Sequence, residues 1–173
     1  MRKEALMQER KKDRLTVALA VIYGILVVWL ILFKMATPSE FAEMRHERAL
    51  NLIPFHYDEE TSNHLFEVLD NVLVFIPLGI YLRMLGRRGG TAILLCAGFS
   101  LALEILQYLF GIGAADITDL ITNTFGAAVG VGVYWLMEKL FKKQETRHRV
   151  LRAAALVCTA LLIALMAVLI LSN

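Results

Sequence analysis

The sequence predicts an all-α integral membrane protein, a small bundle of five transmembrane helices. Hydrophobic residues make up 58% of the 173-residue chain, and the mean hydropathy is +0.60, which is too apolar for an ordinary soluble domain. Five apolar runs each approach the roughly 20 residues that a helix needs to cross a bilayer core. Basic residues cluster in alternate connections between these runs. Helices are expected because backbone amides cannot stay unpaired in lipid.

The first and last spans are predicted to be an anchor and a peripheral helix. The first run is longer than the apolar core of a usual signal peptide and lacks a small-residue cleavage site, so we expect it to be retained. The last run is almost wholly aliphatic and carries no polar group suited to chemistry. The predicted spans cover residues 15–33, 65–85, 91–110, 117–137 and 150–171.

The distribution of basic residues predicts the orientation. All but Lys34, Arg45 and Arg48 of the 18 Lys and Arg residues lie in three places: residues 1–14, the second connection between spans, and the last connection with its flank. The positive-inside rule therefore puts the N-terminus in the cytoplasm and the C-terminus outside, which agrees with an odd number of spans. His148 lies in the last connection and is predicted to have no functional role. The net charge of +2 is thus a topology signal, and no nucleic-acid binding is predicted.

The connections have distinct predicted structures. Residues 1–14 form a basic cytoplasmic arm, and residues 138–149 a cytoplasmic loop. The extracytoplasmic loop, 34–64, contains a helix-start signal that predicts a short amphipathic helix over 41–50. The apolar, turn-forming stretch 51–55 is then expected to dip into the membrane interface or to cap the bundle. Residues 111–115 form a very short connection that forces the third and fourth spans into an antiparallel hairpin.

Proline and glycine residues mark structural positions within this framework. Pro77 cannot donate to the carbonyl four residues earlier, so it predicts a kink in the second span. Gly126 and Gly130 have the spacing that lets two helix backbones approach closely. Pro54 and Gly79 complete the set of predicted structural residues.

Polar residues inside three consecutive spans are the main functional signal. A carboxylate in a hydrocarbon environment costs at least a few kcal/mol unless it is paired, hydrated or protonated. The residues of the third span lie at i, i+4 and i+7, and those of the fourth at i, i+3 and i+7, so each set shares one helix face. They are Asp70 and Asn71 in the second span, Ser100, Glu104 and Gln107 in the third, and Asp116, Asp119 and Asn123 in the fourth.

These groups are predicted to lie at one depth in the outer leaflet. Glu104 is six residues from the outer end of its span, and Asp70 is six residues beyond His64, which is roughly 9 Å at 1.5 Å per residue. The prediction is a ligand-binding pocket that faces outward and suits an amphiphile with a charged head. The structural alternative is that the same groups bond to one another and hold the bundle together. Asp116 also fits the position of a helix N-cap.

No metal site, cofactor or catalytic set is predicted. His46, His56 and His64 lack the spacing of metal ligands, and Cys96 and Cys158 lie far apart in the middle of two spans. Phosphate-binding and dinucleotide-binding glycine motifs are absent from the sequence.

Several spaced motifs resemble the VanZ-like family. They are Asn51-Leu52-Ile53-Pro54-Phe55, the run from Asn71 to Gly79, Ser100-x3-Glu104-x2-Gln107, and Asp116-x2-Asp119-x3-Asn123-x2-Gly126. The resemblance covers about residues 50–137 and implies a multi-pass protein of a bacterial plasma membrane. The namesake of the family contributes to resistance to teicoplanin, a lipoglycopeptide antibiotic. The implied partners are membrane lipids and a lipoglycopeptide or a lipid-linked envelope precursor.

Three functions are compatible with the residues. The first is an envelope-resistance protein that binds amphiphiles in the outer leaflet. The second is an intramembrane enzyme acting on a lipid-linked substrate, because clustered carboxylates can act as an acid–base pair. Ser100, one turn from Glu104, is only a weak signal for a nucleophile. The third is a proton-coupled transporter, because intramembrane acids suit proton relays. The sequence leaves the oligomeric state open.

Overall fold

Five helices and one small sheet make up the part of the chain that the structure describes. The computed structural model describes residues 2–33, 47–55 and 64–172. The five predicted helices are confirmed, and a two-stranded sheet is added to them. In chain order the elements are α1 (Arg2–Phe33), β1 (Glu47–Asn51), α2 (His64–Met84), α3 (Gly89–Phe110), β2 (Ile112–Asp116), α4 (Ile117–Leu140) and α5 (Gln144–Ser172).

Four of the described helical segments are long and apolar enough to cross a membrane. They are Arg14–Leu32, His64–Met84, Gly89–Phe110 and Ile117–Leu140. A fifth crossing within α5, and the orientation of the bundle, stay predictions. We call the end of the bundle that carries the two strands the sheet end, and the other end the opposite end.

The helices extend into the predicted N-terminal arm and into the predicted loop between the last two spans. Residues 2–14 continue without a break into the rest of α1. At the opposite end, α4 extends to Leu140 and α5 begins at Gln144, so only residues 141–143 separate them. The boundaries predicted at 138–149 differ because charged residues end an apolar run without ending a helix.

A parallel two-stranded sheet corrects one prediction. β1 pairs with β2 in a register that runs from Glu47 opposite Ile112 to Asn51 opposite Asp116. The predicted amphipathic helix is therefore wrong for residues 47–50, and residues 41–46 lie outside the described residues. The predicted connection 111–115 is as short as expected: Gly111, whose φ of 64° lets it cap α3, is followed directly by β2. The pairing joins segments that are far apart in sequence, so local patterns do not reveal it.

Glycines bring α2 and α4 into backbone contact. A Cβ added at Gly126 would fall on the carbonyl of Val72, and one at Gly130 on the carbonyl of Ile76. Gly79 approaches the carbonyl of Ala127 in the same way. The first two contacts advance together by four residues on each helix, which means that α2 and α4 run parallel. Both helices consequently start at the sheet end.

The apolar core lies between α1 and the other helices. Tyr23 and Val27 of α1 are buried against Phe75 and Tyr81 of α2, in a cluster that also includes Cys96 of α3. The hydroxyl of Tyr23 donates to the Val74 carbonyl at 2.9 Å, in the helix that carries Pro77. Pro77 lies inside α2, and its kink stays a prediction.

Candidate binding site

Most of the predicted polar residues converge at the sheet end. Three of them are almost completely buried: Ser100 is 0% exposed, and Gln107 and Asn123 are each 1% exposed. Glu104 is 5% exposed. A set of hydrogen bonds links these residues to α1, α2, β1 and β2. We call the set the polar layer; its members are Asn71, Ser100, Glu104, Gln107, Asp116, Asp119 and Asn123.

Glu104 and Asp116 form the centre of the polar layer. Oε2 of Glu104 accepts a hydrogen bond from the backbone N–H of Asp116 at 2.8 Å. Asp116 is the N-cap of α4, as its position in the sequence suggested: its Oδ1 accepts from the N–H of Thr118 at 2.7 Å. Its Oδ2 accepts from Nδ2 of Asn51 at 3.0 Å. Two acids thus hold the end of β2, the start of α4 and the end of β1 together.

The segment after β1 is fixed to the same centre. Oδ1 of Asn51 accepts from the N–H of Ile53 at 3.2 Å, which closes a local turn. The N–H of Phe55 donates to Oγ1 of Thr118 at 3.0 Å. Pro54 lies in the turn between these two anchors. The polar layer therefore determines where residues 51–55 lie.

Side-chain amides connect the helices below this centre. Nδ2 of Asn71 donates to Oδ1 of Asp119 at 2.7 Å, which joins α2 to α4. Nδ2 of Asn123 donates to Oγ of Ser100 at 2.9 Å, which joins α4 to α3. Nε2 of Gln107 donates to the carbonyl of Ile31 at 3.0 Å, which joins α3 to α1. Such bonds between membrane helices contribute about 0.6 kcal/mol each on average.

Two buried amide oxygens of the polar layer can still accept hydrogen bonds. Oε1 of Gln107 and Oδ1 of Asn123 meet no donor among the described residues. The orientation of the Gln107 amide is firm because its partner, the Ile31 carbonyl, can only accept. Buried acceptors in proteins are normally hydrogen-bonded to protein, water or ligand. The chemistry of the layer therefore favours a group that donates hydrogen bonds.

Comparison with known proteins gives the family of the chain. A family model described as VanZ/LLP1 matches residues 20–138, more than half of the sequence. This chain belongs to the VanZ/LLP1 family. It is 34% identical over 149 residues to Protein VanZ of Enterococcus faecium, a match that covers 84% of this chain and 89% of that protein. The resemblance predicted from the motifs is thereby confirmed. No solved structure matches the chain.

The VanZ/LLP1 match includes the whole polar layer. Residues 20–138 contain α2, α3 and β2, most of α4, and the end of α1 that receives the Gln107 bond. α5 lies beyond the match. The family assignment therefore applies to the part of this membrane protein in which the acids and amides meet.

Asp70 does not join the other predicted site residues. Its side chain is exposed, and so is that of its neighbour Glu67, at 60%. In contrast, Asn51 and Thr118 both bond to Asp116 at the centre of the layer, although the sequence analysis did not include them in the site. The available signal was their type, because Asn at a turn and Thr just inside a helix start commonly bond to nearby backbone.

A second buried polar cluster lies at the opposite end. The hydroxyl of Tyr134 is 3.1 Å from Nε2 of His148, and both residues are buried. The guanidinium groups of Arg83 and Arg147 lie 4.9 and 5.2 Å from the centre of the Tyr134 ring. Both arginines also pair with Glu138, at 3.4 and 3.7 Å. His148, for which no role was predicted, thus helps to connect α5 to α4.

Among residues 2–33, 47–55 and 64–172, no three His, Cys, Asp or Glu side chains are arranged to hold a metal ion. Cys96 is buried and Cys158 is exposed, and neither is in a disulfide.

Proposed function

We propose that this VanZ/LLP1-family protein protects a bacterial plasma membrane against lipoglycopeptide antibiotics of the teicoplanin type. The polar layer would bind the headgroup of an amphiphile, either the antibiotic or a lipid-linked envelope precursor. The observation that carries the proposal is the placement of Glu104, Asp116 and Asp119 at the sheet end of α3 and α4, where Glu104 bonds to Asp116 and Asp119 bonds to Asn71 of α2. Family membership with a 34% identical VanZ supports the envelope role.

The chemistry of the polar layer favours a donor-rich or cationic headgroup. Three carboxylates and the spare oxygens of Gln107 and Asn123 give the layer an excess of acceptors. Hydrogen bonds between a charged donor and such acceptors contribute about 1.5–3 kcal/mol each. The apolar helix surfaces below the layer suit the lipid tail of the same molecule. An amphiphile therefore matches both parts of the proposed site.

The predicted orientation of the bundle would put the site where such amphiphiles act. The basic residues at the opposite end support a cytoplasmic location for that end, which leaves the sheet end in the outer leaflet. Lipid-tailed antibiotics and lipid-linked wall precursors reach their targets in that leaflet. The polar layer would then meet its ligand from the outside.

The test separates binding chemistry from structural support. Glu104→Gln retains an acceptor for the Asp116 N–H, and Asp119→Asn retains one for Asn71, so both variants keep the observed hydrogen bonds while losing a carboxylate. Thr124→Val is the matched control, because it removes a half-buried hydroxyl that bonds only within α4.

The readout is the teicoplanin concentration that inhibits a susceptible bacterium expressing each variant at equal membrane abundance. We expect Glu104→Gln and Asp119→Asn to lose the protection several-fold, and Thr124→Val to retain it. Vancomycin serves as the comparison antibiotic, for which little protection is expected. Full protection by both acid-to-amide variants would contradict the proposal.

A further inference from the structure

An exposed apolar turn projects from the sheet end. Residues 50–55, which we call the apolar turn, include four large hydrophobic side chains that the protein leaves uncovered. Ile53 is 61% exposed. The other three are Leu50 at 58%, Leu52 at 66% and Phe55 at 54%. A set of this size on a soluble surface would mark an interaction site.

The apolar turn has a defined conformation. Its first residues pair with β2, and Asn51 bonds both to Asp116 and to the N–H of Ile53. The N–H of Phe55 bonds to Thr118, and Phe55 itself has a φ of 55°. A left-handed backbone is uncommon for a residue other than glycine and persists only where its surroundings hold it in place. The apolar side chains are thus presented by a fixed scaffold.

The surroundings of the turn have the composition of a membrane interface. α3, a candidate membrane span, ends beside β2 with Leu109 and Phe110 exposed at 55% and 62%. α2 begins at the same end with Leu65 and Phe66 exposed at 70% and 66%. Arg48 on β1 is exposed, and its Nη2 donates to the Leu109 carbonyl at 3.3 Å. A cation beside apolar side chains is typical of segments at the headgroup level.

We propose that the apolar turn inserts into the membrane, with its side chains in the acyl region just below the headgroups at the sheet end. Lipid is the occupant because the turn continues the exposed apolar surface of the spans that flank it. Arg48 would lie at the phosphate level above it. The inference does not depend on the proposed resistance function.

Insertion would couple the lipid to the polar layer. Asn51 and Thr118 hold the apolar turn, and each of them also bonds to the side chain of Asp116. The backbone N–H of Asp116 donates to Glu104. A turn seated in lipid would therefore be hydrogen-bonded to the centre of the layer.

The experiment measures the environment of Ile53 in the full-length protein. Cys96→Ala and Cys158→Ala provide a cysteine-free background, in which Ile53→Cys is labelled with an environment-sensitive fluorophore and reconstituted in vesicles of zwitterionic and anionic phospholipid. Lys142→Cys, in the exposed connection at the opposite end, is the water-exposed control, and Phe125→Cys, exposed on α4, is the lipid-exposed control. Nitroxide lipids carry the quencher either near the headgroup or near the chain end.

We expect the label at position 53 to emit at shorter wavelength than the label at position 142. We also expect the nitroxide near the headgroup to quench it more than the nitroxide near the chain end does. The Phe125 label should show the reverse depth preference. Emission like that of Lys142 without quenching would overturn the proposal, and so would a blue shift without quenching, which would mean that protein covers the turn. Leu52→Cys repeats the measurement and is expected to give the same depth.

Discussion

At the scale of single residues, Glu104 and Asp116 are both ligand candidates and structural acceptors. Each accepts a backbone hydrogen bond that positions the start of α4. A carboxylate kept for structure alone is replaceable by an amide of the same shape, whereas one that binds a cationic group is not. The acid-to-amide substitutions distinguish these roles because they leave the backbone bonds in place.

Glu104→Leu is expected to destabilise the protein more than Glu104→Gln does. Because the side chain of residue 104 is buried, Leu at this position leaves the Asp116 N–H without an acceptor. An unsatisfied buried donor of this kind costs about 1–3 kcal/mol of stability. Gln can still accept that bond through Oε1. The measurement is thermal unfolding in detergent or nanodiscs, and equal melting temperatures for the two variants would rule out the structural part of this account.

The bond between Asn71 and Asp119 should give a measurable coupling energy. At 2.7 Å it joins an amide to a carboxylate across two helices. A double-mutant cycle with Asn71→Ala and Asp119→Ala is expected to give a coupling between about 0.6 and 1.7 kcal/mol, which are the average and the maximum for such bonds between membrane helices. Additive effects on unfolding would show that the contact contributes nothing.

At the scale of secondary-structure elements, the helices follow from the sequence and the strands do not. Apolar runs bounded by charges give the helix positions, since lipid leaves the backbone few alternatives. β1 and β2 carry no such signal because each is short. They are far apart in the sequence, and the folded bundle brings them together. The polar layer was predicted because acids stand out in apolar spans. Asn51 was missed because its role depends on the strand pairing.

Replacement of Gly126 should disrupt the packing of α2 against α4. Gly126→Ala forces a methyl group onto the Val72 carbonyl, and we expect a loss of about 1–3 kcal/mol from overpacking. Gly132→Ala is the matched control on the same helix, because nothing lies within 4 Å of the added carbon. It should be neutral or stabilising, since Ala favours helices over Gly by about 1 kcal/mol. Similar unfolding temperatures for both variants would refute the close approach of the two helices.

The cluster at the opposite end is expected to attach α5. Arg147→Gln removes contacts to Tyr134, Glu138 and the Phe141 carbonyl, and should increase hydrogen exchange in the first turns of α5. Arg149→Gln is the control, since the Arg149 side chain is 77% exposed and pairs with Glu145 of the same helix. Exposed pairs of this kind contribute about 0–1 kcal/mol. Equal exchange in the two variants would contradict an attachment role for Arg147.

At the scale of the whole molecule, the protein has two polar ends with different chemistry. Acids and amides gather at the sheet end, and arginines, a tyrosine and a histidine gather at the opposite end. The charge distribution that predicts the orientation therefore also separates the two clusters. In the cysteine-free background, a reagent that cannot cross the membrane should label Lys142→Cys from the cytoplasmic side. It should not label Leu52→Cys from that side.

Photo-crosslinking of a ligand tests the central claim most directly. A teicoplanin derivative with a photoreactive group near its polar head would be added to intact cells, and the crosslinked peptides identified by mass spectrometry. The account predicts crosslinks within the end of α3, β2 and the start of α4, around Glu104 and Asp119, that excess unlabelled teicoplanin suppresses. Crosslinks confined to the cluster of Tyr134 and Arg147, or unaffected by the competitor, would contradict it.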